Sequence, residues 1–329
     1  VQHTLARRGA ERSLSRLFSC PPHTRLVVRG RISIAEKLPS AQAAGGVSWA
    51  LSTLPSISMC QLLGMNSSKP AAPGFSFQGF AERGGRTGEH RDGWGIAFHD
   101  GPACRVIGDH LASIESPLAL AVKRDPIKSR NIVAHIRKAT QGRVAAENSH
   151  PFVRSLWGRT WSFAHNGDLK TFSPDSHAFA ATGDTDSEGA FCHLLSGLLR
   201  RFPEGRPPAA VLFAALGELA AQIAGHGTFN FLLSDGEVMY AHCSTSLFYV
   251  VREYPFAVAS LIDCDLSIDF SRHNHLDDRI SVIATQPLTS DEAWTAFTPG
   301  ELKMFVDGKP VDVAREQTVR SRPLLSFAI

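Results

Sequence analysis

Met59-Cys60-Gln61-Leu62-Leu63-Gly64-Met65 is the stretch on which the rest of the chain turns. Residues 61–65 are an apolar run that predicts a short β-strand, bounded by the turn-rich 66–74 with Pro70, Pro73 and Gly74. Met followed by a small residue is a sequence from which aminopeptidases remove the Met. Cys60 would then carry a free α-amine beside its own thiol. The reference pKa values are about 8.5 for the thiol and about 7.7–8.0 for the amine. The amine is therefore a base of suitable strength near neutral pH, held on the same residue as a nucleophile. An ordinary Met-Cys pair at the start of a domain gives the same two letters.

Upstream, residues 1–59 hold eight Lys/Arg against two acids, a local charge of +6, and the remaining residues carry 26 basic and 29 acidic side chains. The break at Met59 sets 1–59 apart as an extension, expected to be untranslated or removed. A transit peptide, being Arg- and Ser-rich and acid-poor, and a cleaved pro-segment are the competing readings. The body carries no basic excess, which argues against a nucleic-acid footprint. No apolar run approaches the roughly 18 residues of a membrane span. Six cysteines form no CxxC and fourteen histidines no HExxH, so a structural metal has no motif behind it. With that cysteine usage, a reducing cytoplasm is the expected compartment, with some thiols serving as small core residues.

Downstream, strands are predicted at 96–99 and 104–107 around the Asp100-Gly101 turn, then at 131–136 and 160–165. A short helix is expected at 116–123. Apolar residues at helical spacing (Phe191, Leu194, Leu195, Leu198 and Leu199 in the first) predict helices at 188–202 and 209–224. Strands follow at 228–234, 238–242, 247–251, 256–260, 280–285 and 302–306. Strands, a helix pair and more strands describe an α+β layered protein, not an alternating βαβ one.

Four further segments carry chemistry. His135-Ile136-Arg137-Lys138-Ala139-Thr140 follows the buried strand 131–136. An Arg at a strand end needs an anion, and its planar fork suits a carboxylate ligand or a structural ion pair. His165-Asn166-Gly167 closes the strand 160–165. Asn and a Gly backbone N–H supply oxyanion-hole donors, worth about 3 kcal/mol each; Asn-Gly is equally a hairpin turn. Gly183-Asp184-Thr185-Asp186-Ser187-Glu188 reads as a helix N-cap, or as an acid placed to hold an ammonium. The six glycines of 79–95 fit neither phosphate-loop pattern and read as a wall where backbone approaches a substrate.

In this order, Met59-Cys60, Arg83…Asp92-Gly93-Trp94-Gly95, His135 to Thr140, Asn148-Ser149-His150-Pro151, His165-Asn166-Gly167 and Thr185 to Glu188 resemble the class II glutamine amidotransferases, a branch of the N-terminal-nucleophile hydrolases. The likeness is nearest to the short, stand-alone bacterial type. It implies a four-layer αββα sandwich forming one glutamine amidotransferase type-2 domain over 60–329. It implies Cys60 as nucleophile and Asn166 and Gly167 as the oxyanion hole. Arg137, helped by Thr140, would hold a glutamine α-carboxylate, Asp186 the α-ammonium, and His150 would support the site. Glutamine or another γ-glutamyl amide is the implied substrate, with no metal or organic cofactor and with a separate synthase subunit as a possible partner. Members fused to a synthase often carry Trp and His where this chain has Lys138 and Gln141. The residues after Asp186 are expected to complete the sandwich, so no synthase domain is expected within 60–329.

Overall fold

The computed structural model describes residues 60–125, 127–139, 143–175 and 178–312. The expectations for the 1–59 extension, Thr140 and Gln141 fall outside the described residues. In chain order the elements are β1 (Gln61–Ala71), α1 (Gly74–Glu82), β2 (Trp94–Asp100), β3 (Ala103–Asp109), α2 (Pro117–Arg124), β4 (Ser129–Ile136), β5 (Phe152–Leu156) and β6 (Arg159–Asp168). The helices α3 (Asp186–Arg201) and α4 (Ala209–Ala224) follow. The remaining strands are β7 (Thr228–Ser234), β8 (Met239–His242), β9 (Phe248–Arg252), β10 (Val258–Ser260), β11 (Ser267–Asp269), β12 (Ile280–Ala284), β13 (Thr295–Ala296), β14 (Leu302–Val306) and β15 (Lys309–Val311).

Two antiparallel sheets stack face to face. The first runs β13-β9-β12-β1-β4-β2-β3 and the second β15-β14-β8-β7-β6-β5. Strand alternation decides which side chains fill which layer. On β1, Leu63 and Met65 point away from the second sheet and pack with Phe77, Phe80 and Ala81 of α1 and with Ala119 and Val122 of α2. Leu62 points the other way, into an inter-sheet layer with Val133, Ala164, Leu232, Ile283 and Phe305. Beyond the second sheet, Phe163, Phe229 and Phe231 pack against Phe191, Leu194 and Leu198 of α3 and Leu212, Leu216 and Leu219 of α4. The layers are therefore helix, sheet, sheet, helix: the αββα sandwich expected from the sequence. The sheets lie close because little stands between them at the centre. A Cβ on Gly64 would come within 3.1 Å of Leu232 Cδ1.

The two long helices sit where the helical spacing puts them, and the expected strands all appear. Five elements were not read from the sequence: α1, β5 and the short strands β11, β13 and β15. α1 begins after Pro73 without a side-chain cap and holds two glycines; it forms because Phe77 and Phe80 are buried over the first sheet, Phe77 against Trp94. β5 is held by its register against β6, Phe152 opposite Phe163 and Leu156 opposite Arg159. Also, β1 continues through Pro70 to Ala71, beyond the apolar run. Cys192 and Cys243 are fully buried core residues. Among the described residues no helix is long and apolar enough to cross a membrane.

Candidate active site

Cys60 is half-buried at the leading end of β1, the central strand of the first sheet. It shares the alternation of Leu62 and Gly64, which face the second sheet. Its Sγ is held by one residue of the neighbouring chain segment: the Lys138 amide donates to Sγ at 3.2 Å, and Sγ donates to the Lys138 carbonyl at 3.3 Å. That segment continues β4, which pairs with β1 so that Leu62 faces His135.

The segment 137–139 is fixed by the Asp92-Gly93 pair singled out in the sequence. Arg137 N donates to Gly93 O at 2.9 Å, Asp92 N to Arg137 O at 3.2 Å, and Ala139 N to Asp92 Oδ2 at 2.8 Å. The glycine-rich stretch is thus partly the start of β2, and its Asp92 holds the backbone that holds the thiol. Arg137 itself is only 3% exposed, and its Nη1 donates to Arg143 O at 2.9 Å.

Asn166 and Gly167 do not form a turn. Both lie inside β6, paired with Asn230 and Phe229 of β7. Asn166 is fully buried; its Nδ2 reaches Thr285 Oγ1 at 3.4 Å, and the same oxygen accepts from Leu62 N at 2.9 Å. Thr285, just past β12, therefore links the strand behind Cys60 to the strand carrying Asn166. Asn166 Oδ1 has no hydrogen-bond partner. Gly167 is required by packing, because a Cβ there would lie 1.8 Å from Thr228 O.

At the start of α3, Thr185 is the N-cap, accepting from Glu188 N at 3.2 Å. The neighbouring Asp186 accepts from Leu169 N at 2.8 Å on Oδ2 and from Ser187 N at 2.8 Å on Oδ1. Glu188 is buried and paired with Arg154 at 2.5 Å. Asn148 ties the preceding loop down, donating to Asp184 Oδ1 at 2.6 Å and accepting from Asp184 N at 3.1 Å.

Burial pushes the Cys60 thiol above its ordinary pKa. The Lys138 backbone contact and the positive charge of Arg137 pull it back, and the carboxylate of Asp186 pushes it further up. Charges of both signs, on Arg137 and Asp186, thus act on the one sulfur.

His150 is buried with its ring packed at a tilt against His135 at 4.1 Å and Phe152 at 4.4 Å, and no ring nitrogen of either histidine has a hydrogen-bond partner. Burial holds the His150 pKa well below its ordinary value and brings His135 down to about 3. Sequence reading missed Thr285, which no local pattern marks, and Ser187 with His165, whose hydroxyl–imidazole contact is 2.8 Å. Among the described residues no three His, Cys, Asp or Glu side chains converge as metal ligands.

This site sits in a chain with close relatives. YafJ of Escherichia coli (strain K12) is 48% identical over 254 residues, spanning 77% of this chain and all of YafJ. A Haemophilus influenzae (strain ATCC 51907 / DSM 11121 / KW20 / Rd) protein is 48% identical over 255 residues, spanning 77% of this chain and 86% of its own length. The crystal structure of a predicted glutamine amidotransferase from Pseudomonas aeruginosa PA01 superposes with a TM-score of 0.63 at 38% identity, covering 77% of this chain and 100% of that one. Residues 59–327 match the family model described as glutamine amidotransferases class-II. With the four layers, the ordered motifs and this match in agreement, the chain belongs to the class-II glutamine amidotransferase family.

Proposed function

We propose that the protein hydrolyses the side-chain amide of glutamine, or of a related γ-glutamyl compound, through a thioester on Cys60. The observation that carries this reading is the placement of Cys60 at the head of the central strand, its Sγ hydrogen-bonded to the Lys138 backbone next to Arg137, with Asn166 tied through Thr285 to the same strand. The thiol proton passes to the α-amine of Cys60, directly or through a water, and the thiolate attacks the amide carbon. Asn166 Nδ2 and the Gly167 N–H stabilise the tetrahedral oxyanion. Ammonia or an amine leaves with a proton, giving the γ-glutamyl thioester, and water then releases glutamate and restores the thiol. Arg137, helped by Thr140, takes the α-carboxylate and Asp186 the α-ammonium, while His150 supports the site. These groups read only the amino-acid head, so they set the γ-glutamyl half of the substrate and leave the departing amine open.

The α-amine is available only when the bond between Met59 and Cys60 is absent. Intact mass of the purified protein reports where it begins. Incubation with a glutamine-like diazo-ketone should then add one label at Cys60, and glutamate release should accompany it. A chain beginning at Cys60 that takes no label and releases no glutamate is a scaffold that keeps the fold without the chemistry. Labelling with slow release that rises on adding a second protein identifies a glutaminase subunit that feeds a separate synthase.

A further inference from the structure

His165 of β6 and Ser187 of α3 are both buried and meet at 2.8 Å, Ser187 following Asp186 in the chain. Their hydrogen bonds leave one consistent arrangement of protons. The Thr228 carbonyl lies 3.0 Å from His165 Nε2. A carbonyl only accepts, so Nε2 carries the hydrogen and, in a neutral ring, Nδ1 is the acceptor. Ser187 Oγ is 2.8 Å from that Nδ1 and 3.3 Å from Asp186 Oδ1. A hydroxyl has one proton, and two acceptors compete for it. The shorter contact and the fixed tautomer give it to His165. Burial keeps the ring neutral by lowering its pKa, against the opposing pull of Asp186.

Asp186 is then left with one backbone donor on each oxygen, Leu169 N and Ser187 N. An ionised carboxylate accepts at about four sites, so it retains capacity for an incoming cation. We infer that His165 is a positioning residue that draws the Ser187 hydroxyl proton away from Asp186 and so keeps the carboxylate open to the substrate's ammonium. The inference rests on the reading of Asp186 given above and deepens it: recognition of the amino group depends on a histidine that never meets the substrate.

The test compares glutamine with 4-carbamoylbutanoate, the same amide without the α-amino group, using the active enzyme. In His165→Leu the ring acceptor is gone and the Ser187 proton turns to Asp186. KM for glutamine should rise about tenfold, the equivalent of one weakened charged hydrogen bond, with kcat and the KM for 4-carbamoylbutanoate little changed. His165→Gln offers an amide donor to Thr228 and an amide oxygen to Ser187, and should restore the wild-type KM. Adding Ser187→Ala to His165→Leu should recover most of the loss, since no hydroxyl is left to compete. A double variant as poor as the single one, or an equal loss on both amides, overturns the inference. If His165→Leu does not fold, Ser187→Ala alone decides: KM for glutamine should stay within about twofold, because the hydroxyl is not bonded to Asp186, and a tenfold rise overturns the inference. Asp186→Asn separates the two levels. If it keeps the full wild-type preference for glutamine over 4-carbamoylbutanoate, the role of Asp186 itself is wrong and the relay falls with it.

Discussion

The amide of Lys138 donates to the sulfur of Cys60 at 3.2 Å, and the carbonyl of the same residue accepts from it at 3.3 Å. One peptide segment thus favours the thiolate through its N–H and the thiol through its carbonyl, and burial adds weight to the thiol. Since the pKa is raised, deprotonation of Cys60 lies above the ordinary thiol range. With Met59 still attached, alkylation of Cys60 by iodoacetamide should keep climbing as pH rises past about 8.5, without a plateau near neutrality. Peptide mapping against pH checks this. A plateau between pH 7 and 8 would show a thiolate that needs no amine.

The proposed contact of Arg137 with the substrate carboxylate uses a planar, two-pronged donor held in a buried position. Lysine keeps the charge and loses the fork. Arg137→Lys should raise KM for glutamine by about tenfold and Arg137→Ala by about 100-fold, with smaller effects on kcat. Steady-state glutamate release measures both. Equal kinetics in the two variants would remove the bidentate contact from the account.

Gly167→Ala places a methyl group 1.8 Å from Thr228 O, a backbone atom that cannot rotate away. The β6–β7 pairing must open to admit it. Stability in urea should fall by about 3 kcal/mol, and activity should fall with it because Asn166 stands on the same strand. Gly74→Ala is the comparison: nothing lies within 4 Å of a Cβ there, and its stability should stay within about 0.5 kcal/mol. Equal losses at the two sites would refute the packing argument.

His135 is buried neutral, with its folded pKa down to about 3. The unfolded chain binds its proton below about 6.5. Above that pH the contribution to stability is complete. As pH falls through the window from about 6.5 towards 3 the unfolded state takes up the proton and the folded state does not, so stability is lost. The slope from this residue is at most about 1.4 kcal/mol per pH unit. Urea midpoints should therefore drop between about pH 6.5 and pH 5, and His135→Phe, which keeps a ring against His150, should flatten the drop by one proton. An unchanged slope in that variant would place the titration elsewhere, with His150 and His99 next in line.

Much of this molecule is visible in its letters, for physical reasons that differ by element. The helical spacing of Phe191, Leu194 and Leu198 specifies α3 because a single face meets the second sheet. α1 is hidden because Gly74 and Gly79 are poor helix formers, and only burial of Phe77 and Phe80 recruits the segment. Asn166-Gly167 has the composition of a turn. Its place inside β6 is decided by β7, some sixty residues later. Of the two readings of 183–188, the helix cap falls on Thr185, whose hydroxyl accepts from Glu188 N. Thr285 has no local signature at all, since its partners Leu62 and Asn166 are far away in sequence.

That last distance sets a schedule for biosynthesis. The strand led by Cys60 lies between β4 and β12, and its Leu62 amide bonds Thr285, 223 positions later. On a ribosome adding roughly 5–20 residues per second, on the order of ten seconds or more separates emergence of the sulfur from arrival of its far flank. Until then the nascent chain presents a thiol on an unfinished sheet, its strand paired with β4 on one side and with nothing on the other. The proposed amidase chemistry therefore waits for the first sheet to close, which translation permits only once β12 has been delivered.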